Sequence, residues 1–320
     1  MILVTGGAGF IGSHVVDALI AAGHQVTVVD NLATGNRENL NPKAKFFPVD
    51  IRSDEVADIF AETRPSVVCH LAAQMVVQYS VERPIEDADI NIIGSLNILQ
   101  NCVACGVDKI VFASSAGAIY GQPDHLPVSE DYVPQPACHY GVSKLAVEHY
   151  VRLYNALYGL QYTILRFANV FGPRQNPHGK AGLTAILTGM MLEGRRPILY
   201  GYGKPLREYV YVSDIARGVL LALSAGAGHV LNLGAGQAVS VLEIFRLLQD
   251  LLGYDDEPIM KPLRPGEIQQ IYTSNARAGD VLGWKPEVGL REGLAELVAF
   301  LRAQKTAKTA DPGKIRRALS

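Results

Sequence analysis

The sequence predicts an α/β protein built on a doubly wound parallel sheet. Short apolar runs alternate with helical segments in the first half of the chain, and these runs are continuously apolar rather than alternating with polar residues. The connections between them are short, which also favours parallel strands covered by helices on both faces. Ligands of such sheets bind beyond the carboxyl ends of the strands, so the residues after each apolar run are the functional candidates.

The predicted elements follow one another in order. MILVT, a glycine-rich turn, a helical stretch to Ala22 and QVTVVD form one β-α-β unit. The further predicted strands are FFPV, VVCHL, KIVFAS and YTILRF, at residues 46–49, 67–71, 109–114 and 162–167. Predicted helices lie near 53–62, 84–105 and 139–158. We therefore expect a first domain over residues 1–171.

The composition changes after Gly172, where glycine and proline become more frequent and the predicted elements shorter. Residues 172–302 are predicted to form a smaller lobe that faces the substrate. HVLNLGAG, residues 229–236, is predicted to be a late strand that returns to the main sheet. Residues 303–320 are polar and basic with few large apolar side chains, which favours a solvated tail.

Composition and charge narrow the classes of partner. The chain has 320 residues, of which 48% are hydrophobic, enough for a sizeable core. The net charge of -2 gives no field for nucleic acid or an anionic membrane, and no apolar run approaches the roughly 20 residues of a membrane helix. Strand-like residues begin at Ile2, and four cysteines do not make a disulfide scaffold. We expect a cytoplasmic protein with a small-molecule partner.

A glycine motif lies between the first strand and the first helix. Gly6, Gly9 and Gly12 permit a tight turn and let a pyrophosphate approach the backbone at a helix N-terminus. Asp30 ends the second strand, where an acid accepts hydrogen bonds from adenine ribose hydroxyls, and its charge favours NAD over NADP. Asp50 follows the third apolar run, FFPV, in the same way. A contact to adenine and a structural role in the turn are equally open interpretations of this residue.

Tyr140 and Lys144 are four residues apart on a predicted helix, so their side chains project from one face. A nearby ammonium stabilises a phenolate, and we expect Lys144 to move the phenol pKa towards useful basicity. The alternative is an amphipathic helix with a surface lysine and a half-buried tyrosine. The preceding dinucleotide turn favours the catalytic interpretation.

The chain resembles the extended short-chain dehydrogenase/reductase family, and most closely its nucleotide-sugar 4-epimerases of the UDP-glucose (galactose) type. The resemblance covers roughly residues 1–302 and rests on TGGAGFIGSH, VDNLATGN, HLAAQ, SSAGAIYG, YGVSK, LRFANVFGPRQ, REYVYVSD and RPGE. It implies a Rossmann fold and a tightly held NAD that takes a hydride from sugar C4 while the tyrosine takes the proton of the 4-hydroxyl. The 4-keto sugar then turns over and receives the hydride on its other face.

The resemblance also implies site residues, and no metal. Tyr140, Lys144 and Ser115 would be catalytic. Asn169 would meet the diphosphate region, and Arg207 and Arg264 would bind the phosphates, for which arginine supplies fork-shaped donors. A homodimer is expected through the helices near 84–105 and 139–158. The implied cofactor contacts are Gly6, Gly9, Phe10, Ile11, Gly12, Asp30, Asn31, Leu32, Thr34, Gly35, Asp50, Ile51, Leu71, Ala72, Ala73, Gln74, Asn91, Ser114, Tyr140, Lys144 and Phe167.

The stretch FASSAGAIYG distinguishes reaction types. Relatives that dehydrate or decarboxylate nucleotide sugars carry carboxyl groups just before the Ile-Tyr-Gly element, whereas this chain has Gly117 and Ala118 there. That difference favours an epimerase. Many epimerases place a serine or threonine at the position of Ala116, so we put forward Ser115 as the contact to O4, which requires a small shift of the turn. The alternative is a strand-end serine satisfied by the backbone or the cofactor.

The nature of the sugar follows from two further positions. Uronate 4-epimerases often have threonine at the position of Asn169 and a carboxylate-binding arginine at that of Asn176, and this chain has neither. We expect UDP-glucose and UDP-galactose as substrates. UDP-N-acetylhexosamine or UDP-glucuronate epimerisation, sugar dehydration and a non-catalytic NAD sensor are the alternatives.

Overall fold

The computed structural model describes residues 1–263 and 268–310. The strands in this part of the chain are β1 (Ile2–Thr5), β2 (Val26–Val29), β3 (Lys45–Phe47), β4 (Val67–His70), β5 (Lys109–Ser115), β6 (Gln161–Phe167), β7 (Asn169–Phe171), β8 (Ile198–Tyr200), β9 (Leu206–Arg207), β10 (Tyr209–Tyr211), β11 (His229–Leu233), β12 (Val239–Ser240), β13 (Ile259–Lys261) and β14 (Gln270–Ile271).

The helices in the same ranges are α1 (Phe10–Ala21), α2 (Glu55–Thr63), α3 (Val77–Glu82), α4 (Pro84–Ala88), α5 (Gly94–Ala104), α6 (Ala116–Ile119), α7 (His139–Tyr158), α8 (Leu183–Leu192), α9 (Val212–Ala222), α10 (Val241–Leu252), α11 (Ala276–Leu282) and α12 (Leu290–Ala310). A π-helical segment, Asp89–Ile93, joins α4 to α5. None of the helices in the described ranges is long and apolar enough to cross a membrane.

The centre of the molecule is a seven-stranded parallel sheet with the order β11-β6-β5-β4-β1-β2-β3. Chain order runs outward from β1 in one direction through β2 and β3, and in the other through β4, β5 and β6. This arrangement confirms the predicted doubly wound α/β class. The reversal between β1 and β4 opens a crevice at the carboxyl ends of the strands, where ligands of such sheets bind.

Helices cover both faces of the sheet, because each face presents apolar side chains. One face packs against α1, α9 and α11, and the other against α2, α5 and α7. Glycine ends α7 at Gly159, whose φ of 75° is the left-handed conformation that stops a helix. The core therefore fixes α7 against the sheet, and with it the side chains of its first turns.

The predicted elements agree with the structure except at their ends and in one region. Helix α7 matches the prediction, whereas the predicted helix over 84–105 is divided into α4, the π-helical segment and α5. Helix α3 is not predicted by the sequence pattern, because its one short turn and a half carries no clear apolar period.

The remaining elements build a second, smaller core. Helices α8, α10 and α12 pack with β7 and β10 around Phe171, Tyr211 and Phe245. Strand β11 lies beside β6 in the main sheet. Residues 303–310, which the composition places in the polar tail, continue α12, since alanine, glutamine and lysine favour helix.

Candidate active site

In the turn between β1 and α1, the backbone approaches neighbouring backbone atoms so closely at two positions that only glycine fits. Gly6 has a φ of +73°, and a Cβ atom there would lie 2.7 Å from the amide nitrogen of Ala72, which follows β4. A Cβ on Gly12 would lie 2.0 Å from the carbonyl oxygen of Gly6. Gly9 precedes α1 without a side chain to cap it, so the first-turn amides of Phe10, Ile11 and Gly12 point to the crevice unpaired within the helix. This turn fits a pyrophosphate.

Asp30 lies at the carboxyl end of β2 and is 7% exposed. Its carboxylate accepts hydrogen bonds from the amides of Ala8, at 3.0 Å, and Leu32, at 2.8 Å. A Cβ on Gly35 would come within 2.9 Å of the same carboxylate, so glycine lets the loop close over it. Each carboxylate oxygen keeps a lone pair for a further donor, which fits the hydroxyls of an adenine ribose.

Asp50 stands on the same side of the crevice as Asp30. It accepts from the side-chain amide of Asn31 at 2.8 Å and from the Arg52 guanidinium at 2.8 Å and 2.9 Å. The hydrogen bond with Arg52 lowers the pKa of Asp50 to about 2, so the carboxylate is ionised at neutral pH. The structure thus joins two of the predicted cofactor residues, Asn31 and Asp50, and adds Arg52, which sequence reasoning missed.

A buried polar network follows β4. The backbone amide of Gln74 donates to Asn91 Oδ1 at 2.8 Å, and Asn91 Nδ2 donates back to the Gln74 carbonyl at 2.9 Å. Asp87, on α4, accepts from Gln74 Nε2 at 2.7 Å, from Asn91 Nδ2 at 3.1 Å and from Ser143 Oγ at 2.9 Å. The network ties the loop after β4, which holds Leu71, Ala72 and Ala73, to α7.

Helix α7 brings Tyr140 to the carboxyl end of β5, where Ser115 is the last residue. Desolvation of the phenol raises the pKa of Tyr140 to about 12, and a hydrogen bond with the Ser115 side chain opposes that rise. Ala116 is 1% exposed and packs with Ile119 and Tyr120 instead. Ser115, rather than the residue at the Ala116 position, therefore supplies the hydroxyl beside Tyr140.

The structure does not bear out the expected lowering of the phenol pKa by Lys144. Lys144 Nζ donates to the carbonyl oxygen of Ala113 at 2.9 Å and lies 4.8 Å from the centre of the Phe112 ring. Burial lowers the pKa of Lys144 to about 8, opposed by the negative charges of Asp87 and Glu148. The net pKa shift of Tyr140 is upward because the desolvation of the phenol is the largest effect.

Ser114 faces a second buried network. Its hydroxyl donates to Glu148 Oε1 at 2.6 Å, and Arg166 binds both oxygens of Glu148 at 2.9 Å and 2.6 Å. Arg166 also donates to the Tyr120 hydroxyl at 2.8 Å. Charged side chains of this kind are buried only when paired, so the network fixes β5, β6 and α7 together next to the predicted cofactor contact.

Strand β7 begins at Asn169, and one residue separates it from the end of β6. Asn169 donates from its side chain to the backbone carbonyl of Glu208 at 2.9 Å, and a Cβ atom on Gly117 would lie 4.0 Å from Asn169 Oδ1. Asn169 and the FASSAGAIYG stretch therefore lie side by side. The sequence predicted that Asn169 and this stretch belong to the substrate site, but it did not predict that they are neighbours.

Arg207 ends β9 and is partly buried. Its guanidinium donates to the carbonyl oxygens of Ile268, at 2.5 Å, and Leu206, at 2.9 Å. The neighbouring Glu208 is 2% exposed and accepts from the amide and hydroxyl of Thr273 and the amide of Gly236, while burial raises its pKa to about 7. Arg264, the second predicted phosphate ligand, lies outside the described residues.

The other predicted cofactor residues differ in burial. Their side chains divide by exposure, with Ile51 and Phe167 buried, Phe10, Ile11, Leu32 and Gly35 half-buried, and Thr34 exposed. In the described part of the chain, no group of three His, Cys, Asp or Glu side chains could hold a metal ion.

The fold and this crevice define a dinucleotide-dependent enzyme of the Rossmann class, with Tyr140 and Lys144 in contact with the last residues of β5. Residues 2–234 match the profile described as the NAD dependent epimerase/dehydratase family. The chain belongs to this family, and its cofactor is NAD.

Three similar proteins span almost the whole chain. A putative UDP-glucose 4-epimerase of Methanocaldococcus jannaschii is 46% identical over 302 residues, which cover 94% of this chain and 98% of that protein. The UDP-glucose 4-epimerase of Thermotoga maritima, solved with UDP-glucose, is 46% identical with a TM-score of 0.93, over 95% of this chain and 99% of that one. The Thermus thermophilus UDP-glucose 4-epimerase, solved with NAD, is 42% identical with a TM-score of 0.89, over 94% and 98%.

Proposed function

We propose that the protein is a UDP-glucose 4-epimerase, which interconverts UDP-glucose and UDP-galactose through a 4-keto intermediate. The observation that carries the proposal is the meeting of Tyr140, Ser115 and Lys144 at the carboxyl end of β5, in a chain of the NAD dependent epimerase/dehydratase family. Full-length similarity to epimerases of this name supports the choice of substrate.

Bound NAD would supply the acceptor for the hydride of sugar C4 and the source of the hydride that returns to it. Tyr140 takes the proton of the 4-hydroxyl and gives it back after the keto sugar has turned over. Ser115 holds O4 beside the phenol through a hydrogen bond. Lys144, anchored on Ala113, keeps positive charge at the reacting end, and Asp30, the Gly6–Gly12 turn and Asp50 hold the dinucleotide.

Small side chains before the Ile-Tyr-Gly element limit the reaction to epimerisation. Gly117 presents no side chain towards Asn169, and Ala118 is 8% exposed. Proton removal at C5 or loss of water at C6 requires a positioned acid or base, which neither residue supplies. The site therefore favours the epimerase over a nucleotide-sugar dehydratase.

The substrate diphosphate is assigned to Asn169, Arg207 and Arg264. Arg207 is anchored by backbone carbonyls at the carboxyl end of β9, and Asn169 by the carbonyl of the next residue, Glu208. These anchors support a fixed binding geometry for a charged group. We place the substrate lobe at residues 172–302, with the NAD-binding part over 1–171 and β11.

A homodimer and a cytoplasmic location complete the proposal. An apolar surface patch, formed by Val81, Ile85, Ile93 and Val142 on α3, α4, the π-helical segment and α7, supports the dimer; these side chains are between 52% and 86% exposed. Free thiols at Cys69, Cys102, Cys105 and Cys138 support a reducing compartment.

The proposal is tested by assay of the purified protein with UDP-galactose and no added NAD. We expect UDP-glucose to accumulate to equilibrium, because the cofactor is held and is regenerated in every turnover. UDP-N-acetylglucosamine, UDP-glucuronate and dTDP-glucose are assayed in parallel. Turnover of one of these, without conversion of UDP-galactose, would show that the substrate is wrong, and bound NAD without any turnover would indicate a sensor.

A further inference from the structure

Asp87 is a carboxylate that the proposed reaction does not use, although it is 1% exposed and lies beneath the catalytic helix. Burial of a carboxylate is unfavourable unless its charge is compensated by hydrogen bonds or by an opposite charge. No salt bridge to Asp87 occurs within residues 1–263 and 268–310, so hydrogen bonds and more distant charge must compensate it.

The donors to Asp87 come from three different parts of the structure. Gln74 follows β4, Asn91 lies in the π-helical segment, and Ser143 lies on α7 between Tyr140 and Lys144. Ser143 Oγ also lies 3.0 Å from the carbonyl oxygen of Tyr140. An ionised carboxylate only accepts hydrogen bonds, and each of these side chains can donate one. The first turn of α7 is therefore joined to the cofactor loop through one buried group.

Asp87 also acts on the catalytic pair through its charge. It raises the pKa of Lys144, and it is the largest effect that opposes the desolvation of that ammonium. It also raises the pKa of Tyr140. This effect is smaller than those of desolvation, of the Ser115 hydrogen bond, which acts in the opposite direction, and of the Cys138 thiol.

Other titratable groups also face this pair. Glu148 acts on Lys144 from the next turn of α7 and is itself bound by Arg166. His70, on β4, has a pKa lowered to about 3 by burial and by Lys144, so it is neutral throughout the working pH range. Asp87 is thus the buried charge shared by Tyr140 and Lys144.

We propose that Asp87 is a positioning residue for the catalytic pair: its buried carboxylate fixes the start of α7, and with it Tyr140 and Lys144, against the loop after β4. The role concerns the same site as the proposed epimerase reaction and rests on that function for its kinetic test.

The test compares Asp87→Asn with the unchanged protein, both loaded with NAD. Loss of the Asp87 charge lowers the pKa of both Tyr140 and Lys144. In a plot of kcat for UDP-galactose against pH, the acidic and the basic limb should therefore both move to lower pH, by on the order of 1 unit. Glu86→Gln is the matched control, because Glu86 lies on the same short helix and is only half-buried, with its carboxylate paired to Arg83. A loss of kcat with unmoved limbs, or an equal shift in Glu86→Gln, would overturn the proposal.

A second measurement needs no substrate and so separates this role from the substrate assignment. Because the pKa of Lys144 is about 8 in the folded protein against 10.5 for the free group, the native state binds fewer protons between these values. Lys144 therefore contributes a rise in the free energy of unfolding with pH across that window. The buried thiols of Cys69 and Cys102, whose pKa values burial raises, contribute an opposite change that is the same in both proteins. We expect the free energy of unfolding of Asp87→Asn, relative to the unchanged protein, to rise with pH just below about pH 8, because Lys144 loses its proton earlier in the variant. A difference that does not vary with pH there contradicts the proposal.

Ser143→Ala covers the case in which Asp87→Asn does not fold. It removes a hydrogen bond to the carboxylate and leaves the charge in place. We expect kcat to fall at least threefold while the pH limbs stay where they are. Unchanged kcat would show that α7 is not held through Asp87.

Discussion

At the scale of single residues, burial decides the protonation of the reacting groups. The phenol of Tyr140 has a pKa of about 12 and the ammonium of Lys144 a pKa of about 8, both moved by desolvation away from the charged form. In the proposed reaction, the positive charge of bound NAD would oppose this shift. Tyr140 would then act as a base only when the cofactor is bound.

Replacement of Tyr140 tests its role as acid and base. We expect Tyr140→Phe to lose at least about 100-fold in kcat, because the proton acceptor is removed, while the fraction of protein with bound NAD stays the same. Turnover of UDP-galactose and the NAD released on denaturation are the measurements. Tyr158→Phe, at the exposed end of the same helix, is the control and should keep full turnover. Loss of the cofactor from Tyr140→Phe would contradict the assigned role.

Sequence reasoning found some of these residues and not others, for a physical reason. Tyr140, Lys144 and Asp30 have fixed spacing from a helix or a strand end, so the pattern predicts them. Asp87 meets Gln74 and Ser143, and Glu148 meets Arg166, only through the folded structure, and the one local partner of Asp87, Asn91, does not mark it in the sequence. The direction of the Tyr140 pKa depends on packing, which the sequence does not display.

At the scale of elements, the glycine turn joins β1, α1 and the loop after β4. Gly6 approaches Ala72, and Gly12 approaches Gly6, at distances that exclude a methyl group. The strand-turn-helix unit was predictable because its spacing is local. The division of the 84–105 helix was not, because the π-helical segment that carries Asn91 depends on the partners of that side chain.

Gly12→Ala tests this turn. The added methyl would lie 2.0 Å from a backbone oxygen that has no freedom to move, so we expect a loss of at least about 2 kcal/mol in the free energy of unfolding and weaker NAD binding. Gly279→Ala is the matched control within α11, where the nearest atom is 3.7 Å away, and it should be neutral or stabilising. Denaturant unfolding and NAD titration measure both. Normal NAD affinity in Gly12→Ala would refute the assignment of this turn.

At the scale of the whole molecule, the doubly wound sheet places the glycine turn, Asp30 and Ser115 at the carboxyl ends of its strands, and the apolar patch of Val81, Ile85, Ile93 and Val142 lies on the outside. The class of the sheet was predictable from the apolar runs. The surface that covers this patch was not predictable, because it belongs to a second molecule and leaves no pattern in the sequence of one chain.

The dimer is tested at Ile85, which is 86% exposed on α4. Ile85→Glu should convert the dimer to monomers, because a charge would have to be buried in an apolar interface. Val133→Glu, 70% exposed outside the patch, is the control and should leave the mass unchanged. Sedimentation velocity measures both. A monomeric unchanged protein would rule out the dimer, and a dimeric Ile85→Glu would place the interface elsewhere.

The open space at Gly117 bears on how such proteins diverge. A Cβ atom built there meets its nearest neighbour only at 4.0 Å, so a longer side chain would enter the crevice without displacing the chain. One codon change at this point could add an acid to the existing tyrosine. An acidic side chain at position 117 would therefore require no change in the backbone of this loop.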